Sequence, residues 1–500
     1  MTDDGAALAA APGSRREHLA RMALFGLLGF SAGLPFYMFS TVLALRLQAH
    51  GVALAIIGFF AWVQLLPTVK FLWAPLLDRF DVPGFGRFWG KRPGWILLSQ
   101  IGIFTALIAM AFTASDASLA VTALFAVLLA FWTTTLEVAS DAWRIELAPT
   151  QEAQAPLATA VLWGYRTAMV AAGSGAVILA DMPGVGWTGA YLGVAFAAFL
   201  PVPLLIALPP LVRGGGGRLV ALASGLVATA AILLGTAVVT AIVGWLLLGA
   251  FAGAGIDSKT NVTPWVLGVA MLPFVVMALL IPRIRRAPPT APIRASAAIG
   301  PYTDFFWRYG YPAIVVMAFV SIYRMGDVLA LNLSKPMIKE LGYSLTQIGL
   351  ADSYVALVAS MTGVGLGGLM AAKWPMGRAL VVGALFAALG NFGFVWLAYQ
   401  PVGWLPLYIA TAADQFGNGM AGAVFVVYLS LLVNPRYAGA QYAFLSGWAF
   451  LLSRLLSGAG GQVVERVGWD AFFLASGVIS LAALAFLPLL IGVRPRESDA

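Results

Sequence analysis

The stretch KFLWAPLLDRFDVPGFGRFWGKRPGW, residues 70–95, joins two long apolar segments and fixes the direction of the segments around it. Its charged residues are the cations Lys70, Arg79, Arg87, Lys91 and Arg92 and the acids Asp78 and Asp81. A short loop with so many cations is retained on the cytoplasmic side of a membrane. We therefore expect a cytoplasmic loop between the second and third membrane helices.

Composition places the chain among polytopic membrane proteins. Hydrophobic residues make up 61% and charged residues 10%, with a mean hydropathy of +0.90, whereas soluble domains carry about 25% charged residues. The net charge of +8 is what retained cytoplasmic loops produce, so we expect no nucleic-acid partner.

Residue usage also limits the chemistry. Cysteine is absent, which excludes disulfides, thiolate metal sites and cysteine nucleophiles. An intramembrane enzyme would need a nucleophile with a base, and the two histidines, His18 and His50, lie outside the apolar segments. We expect no enzyme activity, no cofactor and no metal.

Apolar runs of about 20 residues or more predict membrane-spanning helices. Fourteen such segments occur, at 23–48, 53–72, 95–113, 118–143, 156–182, 187–208, 219–251, 264–281, 311–333, 345–370, 379–399, 405–433, 440–464 and 471–491. We refer to them as segments 1 to 14.

The basic residues orient these segments. With both termini in the cytoplasm, twenty of the 29 lysines and arginines fall on the cytoplasmic side. They are Arg15, Arg16, Arg21, Arg79, Arg87, Lys91, Arg92, Arg144, Arg213, Arg218, Arg283, Arg285, Arg286, Arg294, Arg308, Lys373, Arg378, Arg436, Arg494 and Arg496.

The predicted organisation is all-α, with two six-helix bundles and two extra central helices. The bundles are residues 1–212 and 311–500, the extra pair is 213–282, and a basic, proline-rich cytoplasmic linker occupies 283–310. No ionisable residue lies between 219 and 255, so we interpret the extra helices as lipid-facing accessories. Charged and glycine residues recur weakly at corresponding positions of the two bundles, which is consistent with two parallel repeats.

Charged residues lie deep in several apolar segments, where each costs several kcal/mol unless it faces a cavity or a partner. One interpretation is neutralisation in the pairs Arg324–Asp327, Arg454–Asp414 and Arg166–Glu137. The other is a cavity for an anionic solute moved with a proton, because arginine grips carboxylates in a fork and a carboxylate in apolar surroundings can load and release a proton. The candidate substrate-binding residues are Arg166, Arg454, Arg324, Tyr165, Tyr323 and Asn418. The candidate proton-coupling residues are Asp327, Asp414, Asp352 and Glu137.

A second group of charges lies at the cytoplasmic helix ends. We assign Asp78, Arg79, Arg87 and Asp141 to a gating loop. For Asp78 and Asp141 a structural cap or loop clamp is the favoured interpretation.

Seven motifs follow one another along the chain: GFSAGLPF (29–36), KFLWAPLLDRF (70–80), RPGWILLSQ (92–100), EVASDAW (137–143), GYR (164–166), YRMGD (323–327) and AQYAFLSG (440–447). Together they resemble the AmpG muropeptide permeases, in the peptide–acetyl-coenzyme A transporter branch of the major facilitator superfamily. The two extra central helices fit the same resemblance.

The resemblance implies the major facilitator fold, with fourteen transmembrane helices. It also implies proton-coupled import of N-acetylglucosaminyl-1,6-anhydro-N-acetylmuramyl peptides across the bacterial inner membrane for cell-wall recycling, with a link to β-lactamase induction. The expected partners are an anionic sugar-peptide, protons and the lipid bilayer, and the protein is expected to be a monomer. Family positions carried over by motif are Glu137, Asp141, Arg166, Asp327 and Arg454.

Two departures from the family pattern leave the substrate open. Glu137 stands where the family often has aspartate, and Asp352-Ser353 replaces a pair that includes a basic residue. A related importer of another anionic solute, such as a siderophore or a coenzyme A thioester, is therefore an alternative. A lipid scramblase or a sensor is a further alternative. In such a protein the buried charges would take no part in transport driven by an ion gradient.

The predicted topology can be tested directly, because the chain has no cysteine of its own. A cysteine placed at Ser258 should react with an impermeant thiol reagent from the periplasm, and one at Ser296 should not. The opposite labelling would overturn the orientation.

Overall fold

The computed structural model describes residues 15–52, 61–113, 119–212, 215–253, 263–457, 460–490, 492–493 and 495–496, and no strand occurs among them. The helices up to the linker are α1 (Arg15–Met38), α2 (Thr41–Ala49), α3 (Ala74–Arg79), α4 (Phe85–Trp89), α5 (Lys91–Phe112), α6 (Leu119–Leu147), α7 (Gln151–Val170), α8 (Ala176–Asp181), α9 (Gly186–Ala198), α10 (Val202–Ile206), α11 (Gly215–Gly253) and α12 (Thr263–Leu279). The later helices are α13 (Ile281–Arg286), α14 (Pro292–Ala295), α15 (Gly300–Tyr309), α16 (Pro312–Tyr323), α17 (Met325–Glu340), α18 (Leu345–Leu350), α19 (Ala356–Lys373), α20 (Met376–Ala398), α21 (Trp404–Leu432), α22 (Ala438–Ser457), α23 (Gly460–Ala482) and α24 (Leu487–Leu490).

Ten stretches of the described chain are long and apolar enough to cross a membrane. They are Arg15–Ala49, Lys91–Phe112, Leu119–Leu147, Gly186–Ile206, Gly216–Leu246, Pro312–Glu340, Thr346–Lys373, Met376–Ala398, Trp404–Leu432 and Val463–Leu490. They correspond to ten of the fourteen predicted segments. The all-helical, multi-pass prediction is confirmed, while the count of fourteen remains a prediction.

The other four segments have less regular helices. Segment 2 is described only from residue 61, where two 3₁₀ turns, Ala61–Leu65 and Lys70–Leu72, lead into the short α3. Pro67 and Pro75 explain the interruption, since proline lacks the backbone N–H that a continuous α-helix needs. A π turn at Ala171–Gly175 divides segment 5 between α7 and α8. Segment 8 contains the 17-residue α12, and the 20-residue α22 of segment 13 ends next to residues 458–459, which lie outside the described residues.

The chain packs into two compact units. The described residues of one, here the N-terminal unit, fall within 15–143 and 164–263, and those of the other, the C-terminal unit, fall within 144–163 and 264–496. The boundaries of these units differ from those of the predicted domains. Residues 156–163 of segment 5 belong to the same unit as the C-terminal helices. The division also separates the extra pair, since α11 belongs to the N-terminal unit and residues 264–279 of α12 to the C-terminal unit.

Glycine allows close helix crossings in both units. In the C-terminal unit a β-carbon on Gly363 would collide with the Phe416 carbonyl of α21. In the N-terminal unit a β-carbon on Gly33 would lie 2.7 Å from Ala168 Cβ. Membrane helices use small residues in this way because lipid offers no hydrophobic drive for their association.

Each extra helix is docked on the unit to which it belongs. Helix α11 contacts α4 at Gly225, where a β-carbon would collide with the buried ring of Phe85. In the other unit, Phe274 of α12 stacks on Phe444 at 4.2 Å and meets Tyr302 edge-on at 5.2 Å. The rest of α11 has many exposed apolar side chains, as expected of a lipid-facing helix.

We expect Gly225→Leu to destabilise the purified protein by about 1–3 kcal/mol, because the new side chain must displace Phe85. The matched control is Gly235→Leu in the same helix, where a β-carbon meets no atom within 4 Å. Thermal unfolding followed by tryptophan fluorescence measures both. Equal melting temperatures for the two variants would contradict the docking of α11 on α4.

Candidate functional site

A buried ion pair of the C-terminal unit joins Arg324 and Asp327. Arg324 lies at the junction of α16 and α17, and its Nη1 donates to Asp327 Oδ2 at 2.8 Å. The side chains are 9% and 3% exposed. Their predicted pairing, one helical turn apart, is therefore present in the structure.

Asn418 completes the surroundings of Arg324. Its side-chain oxygen accepts from Arg324 Nη2 at 3.2 Å, and its backbone carbonyl accepts from Nη1 at 3.3 Å. The guanidinium of Arg324 thus links α21 to the junction of α16 and α17. A carboxylate or phosphate that entered here would compete with Asp327 and Asn418 for the same guanidinium group.

The other side of Asp327 faces two neutral polar groups. The side chains of Asn391 in α20 and Ser480 in α23 lie close to its carboxylate. Asn391 Nδ2 lies 3.5 Å from Ser480 Oγ, and Ser480 Oγ donates to the Ser476 carbonyl at 3.3 Å. One arginine and these polar surroundings together offset the cost of burying this carboxylate.

Tyr323 lies beside this pair but packs in the interior of the C-terminal unit. Its hydroxyl donates to the Leu380 carbonyl at 3.1 Å, and its ring stacks on Phe425 at 5.3 Å with 9° between the planes. Only 1% of the residue is exposed. A sugar ring could therefore stack on this face of Tyr323 only after Phe425 moved.

Asp414 is the second buried acid of the C-terminal unit. Its Oδ2 accepts from the neighbouring Gln415 Nε2 at 2.8 Å, and the residue is 8% exposed. Arg454 lies in α22, but its side chain is outside the described part of the chain. The predicted Arg454–Asp414 pair stays a prediction.

In the N-terminal unit an ion pair between the predicted membrane segments 2 and 4 joins Lys70 to Glu137. Lys70 Nζ lies 3.3 Å from Glu137 Oε2, and the side chains are 8% and 22% exposed. Trp73 Nε1 donates to Thr135 Oγ1 at 3.2 Å one turn away. Lys70, which was counted among the cations of the stretch 70–95, lies in a 3₁₀ turn inside segment 2 and contacts segment 4, 67 residues later.

The remaining substrate-binding candidates of this unit lie on α7. Tyr165 and Arg166 are both half-buried, and the backbone of Tyr165 packs against Gly33. The π turn begins five residues after Arg166. Such single-turn irregularities are frequent at functional sites.

Asp352 differs from the buried acids. It lies in the π turn Ala351–Val355, and its Oδ2 is 2.7 Å from Lys335 Nζ. Both side chains are half exposed, at 50% and 56%. Solvent screening makes an exposed pair of this kind weak, so Asp352 is less constrained than Asp327.

The basic loop of residues 70–95 is held by a buried clamp. Asp78 Oδ1 lies 2.7 Å from Arg92 Nη2, both side chains are 4% exposed, and Arg92 Nη1 donates to the Leu77 carbonyl at 3.0 Å. Lys91 Nζ also donates to the Asp78 carbonyl at 2.9 Å. The clamp ties the end of α3 to the start of α5.

Other predicted gating residues lie outside this clamp. Arg79 lies over the Phe80 ring at 5.5 Å, Arg87 is exposed, and Asp141 is half-buried in α6. The structure therefore brings only Asp78 of the four into the clamp, together with Arg92, which the assignment had omitted.

Arg144, which was counted among the cytoplasmic arginines, is fully buried at the end of α6. Its Nη1 donates to Gln154 Oε1 at 2.6 Å and to Ser430 Oγ at 3.0 Å. Gln151 Nε2 likewise donates to the Ala371 carbonyl at 2.6 Å. Residues 144–163 are thereby docked on α19 and α21, a contact between residues up to 286 apart in sequence.

Comparison with known proteins agrees with this architecture. The family model described as Major Facilitator Superfamily matches residues 317–500. The chain is 26% identical over 468 residues to the anhydromuropeptide permease of Escherichia coli (strain K12), covering 93% of this chain and 79% of that protein. A Rickettsia conorii protein that carries the name AmpG 4 is 26% identical over 469 residues, covering 93% and 95%.

Solved structures match over nearly the whole chain. The proton:xylose symporter XylE has a TM-score of 0.59 at 15% identity, with 97% of each chain covered. The human organic anion transporter MFSD10 has a TM-score of 0.56 at 13% identity. The predicted resemblance to the AmpG permeases and the predicted major facilitator fold are thereby confirmed.

The Lys70–Glu137 pair gives a testable consequence. Lys70→Met or Glu137→Gln alone removes one of the two charges of this contact, so each should lower the stability of the purified protein by about 1–3 kcal/mol. The double variant removes both charges and should recover most of that loss in a thermal unfolding assay. A double variant no more stable than either single variant would show that the two side chains do not pair.

Proposed function

We propose that this transporter imports anhydromuropeptides across the bacterial inner membrane in symport with protons. The observation that carries the proposal is the alignment, over 93% of the chain, with a relative named anhydromuropeptide permease. The same proposal includes cytoplasmic termini and a monomeric carrier. Import would return cell-wall fragments to the cytoplasm.

The buried arginines suit such a solute. A sugar-peptide with carboxylates needs cationic donors that stay charged in apolar surroundings, and arginine supplies these in a planar fork. We assign the solute contacts to Arg166, Arg324 and Arg454, with Asn418 as a neutral polar contact. Arg166 and Arg454 occupy corresponding helices of the two predicted repeats, where carriers of this architecture hold their ligand.

We assign the coupling proton to Asp327, with Asp414 second. Arg324 supplies the counter-charge of the Asp327 carboxylate through the 2.8 Å contact. A solute carboxylate that binds Arg324 takes away this counter-charge, and an acid left unpaired in apolar surroundings binds a proton more readily. Solute binding and proton uptake are then linked through one guanidinium group.

The loop clamp is assigned to gating. The Asp78–Arg92 contact joins the end of segment 2 to segment 3, so a change in the angle between these helices must strain or open it. Arg79, Arg87 and Asp141 remain candidate partners of this loop in another conformation of the transport cycle.

The direct test is uptake of labelled N-acetylglucosaminyl-1,6-anhydro-N-acetylmuramyl peptide by proteoliposomes. An imposed inward proton gradient should drive accumulation, and a protonophore should abolish it. Unlabelled anhydromuropeptide should compete, whereas a siderophore or a coenzyme A thioester should not. Accumulation of one of these other anions instead would replace the proposed substrate and leave the transporter class unchanged.

Asp327→Asn should abolish accumulation driven by a proton gradient while exchange of labelled for unlabelled solute continues, because asparagine cannot carry the proton. Asp327→Glu keeps a negatively charged, protonatable carboxylate opposite Arg324. It is therefore the matched control for folding. If the asparagine variant still concentrates solute under a pH gradient alone, the proton carrier is another group. Asp414, Asp352 and Glu137 would then be tested in that order.

A further inference from the structure

A cluster of arginines lies on the linker where two membrane-spanning segments end. The linker carries Arg283, Arg285, Arg286, Arg294 and Arg308 against a single acid, Asp304. It follows α12 and ends at Gly310, two residues before the Pro312–Glu340 span. The transport pathway proposed above uses none of these arginines.

The single acid of the linker does not neutralise the arginines. Asp304 is 8% exposed, and its Oδ2 accepts from Asn434 Nδ2 at 3.0 Å and from Gln441 Nε2 at 2.9 Å. Both donors are neutral amides. Across the described residues, none of the five linker arginines forms an ion pair.

Two of these guanidinium groups are held in place by packing and yet lack a partner. Arg285 Nε and Arg308 Nη1 are both buried, and neither has a hydrogen-bond acceptor within the described part of the chain. The Arg285 guanidinium lies against the backbone two residues after Arg308, since a β-carbon on Gly310 would be 2.7 Å from Arg285 Nη1. A buried, unsatisfied N–H donor is costly and rare in a folded protein.

The neighbouring phenol supplies no negative charge. Arg308 lies over the Tyr309 ring at 5.5 Å, and the Tyr309 hydroxyl donates to the Leu432 carbonyl at 2.9 Å. Burial raises the pKa of Tyr309 above its ordinary value near 10, so this group stays neutral at pH 7. The two half-buried guanidinium groups therefore remain uncompensated cations.

Exposed side chains with large apolar surfaces lie within five residues of these arginines along the chain. Leu279 is 76% exposed, Tyr311 59% and Ile299 44%. A free phosphate ion would contact only the arginines. A phospholipid would place its phosphate on the arginines and its acyl chains against these apolar side chains.

We propose that Arg285 and Arg308 form a binding site for the phosphate of an anionic phospholipid, with Arg283, Arg286 and Arg294 adding to its field. Phosphate oxygens accept from two guanidinium forks at once, and basic pockets between membrane helices bind anionic headgroups. The site lies outside the transport pathway, so its test is independent of the proposed substrate and of proton coupling.

The test compares phosphatidylglycerol with phosphatidylcholine, each added to the purified full chain in detergent, with bound lipid counted by native mass spectrometry. The wild-type protein should retain phosphatidylglycerol and unfold at a higher temperature in its presence, with no such rise in phosphatidylcholine. Arg285→Gln combined with Arg308→Gln should weaken phosphatidylglycerol binding at least about tenfold and remove most of the rise.

The matched control removes the same charge elsewhere. Arg378 and Arg436 are exposed, and neither forms an ion pair among the described residues. Arg378→Gln combined with Arg436→Gln should change phosphatidylglycerol binding less than about threefold. Equal losses of phosphatidylglycerol binding in the two double variants would overturn the site. They would show only a general attraction between a basic protein and an acidic lipid.

Two further arms separate the sources of negative charge. Inorganic phosphate at the same concentration should not raise the unfolding temperature, and a rise equal to that with lipid would overturn the assignment to a phospholipid.

Glu497 and Asp499 follow Arg496 in the sequence, and the Arg496 backbone N–H donates to the Arg308 carbonyl at 3.0 Å. Truncation after Arg496 should leave lipid binding unchanged, and binding seen only in the truncated chain would overturn the site in the intact protein.

Discussion

The cost of a charged side chain in apolar surroundings is the constraint on which the candidate site depends. An ionised group in a membrane span loses several kcal/mol of solvation unless a partner or a wet cavity replaces the water. Each unit meets this cost with its own pair, Lys70–Glu137 in one and Arg324–Asp327 in the other. Replacing a buried ion pair by apolar residues is often neutral or stabilising, which favours the interpretation that these charges serve function over stability alone.

These charges coincide with irregular backbone. Lys70 lies in a 3₁₀ turn, Arg324 at the junction of two helices, and Asp352 in a π turn. The junction at Arg324 lets its guanidinium reach the Asn418 carbonyl of the continuous helix α21 at 3.3 Å. Transporters commonly form their solute and ion sites from broken helices of this kind.

Much of the fold could be predicted from the sequence, because apolar length and basic loops are local properties. The Arg324–Asp327 pair could also be predicted, since three residues in a helix bring side chains to one face. Lys70–Glu137 and Arg144–Ser430 could not, because those partners lie 67 and 286 residues apart and no local pattern joins them. The contact of Gly225 with Phe85 could not be predicted for the same reason, and the rest of α11 has the sequence pattern of a lipid-facing helix.

The central claim is that solute and the Asp327 carboxylate compete for Arg324, so that binding a solute takes up a proton. Isothermal titration of the purified protein with anhydromuropeptide, in buffers of different ionisation enthalpy at one pH, counts the protons exchanged on binding. The account predicts uptake of about one proton per solute bound, lost in Asp327→Asn. Binding with no proton exchanged, or with the same exchange in the asparagine variant, would contradict it.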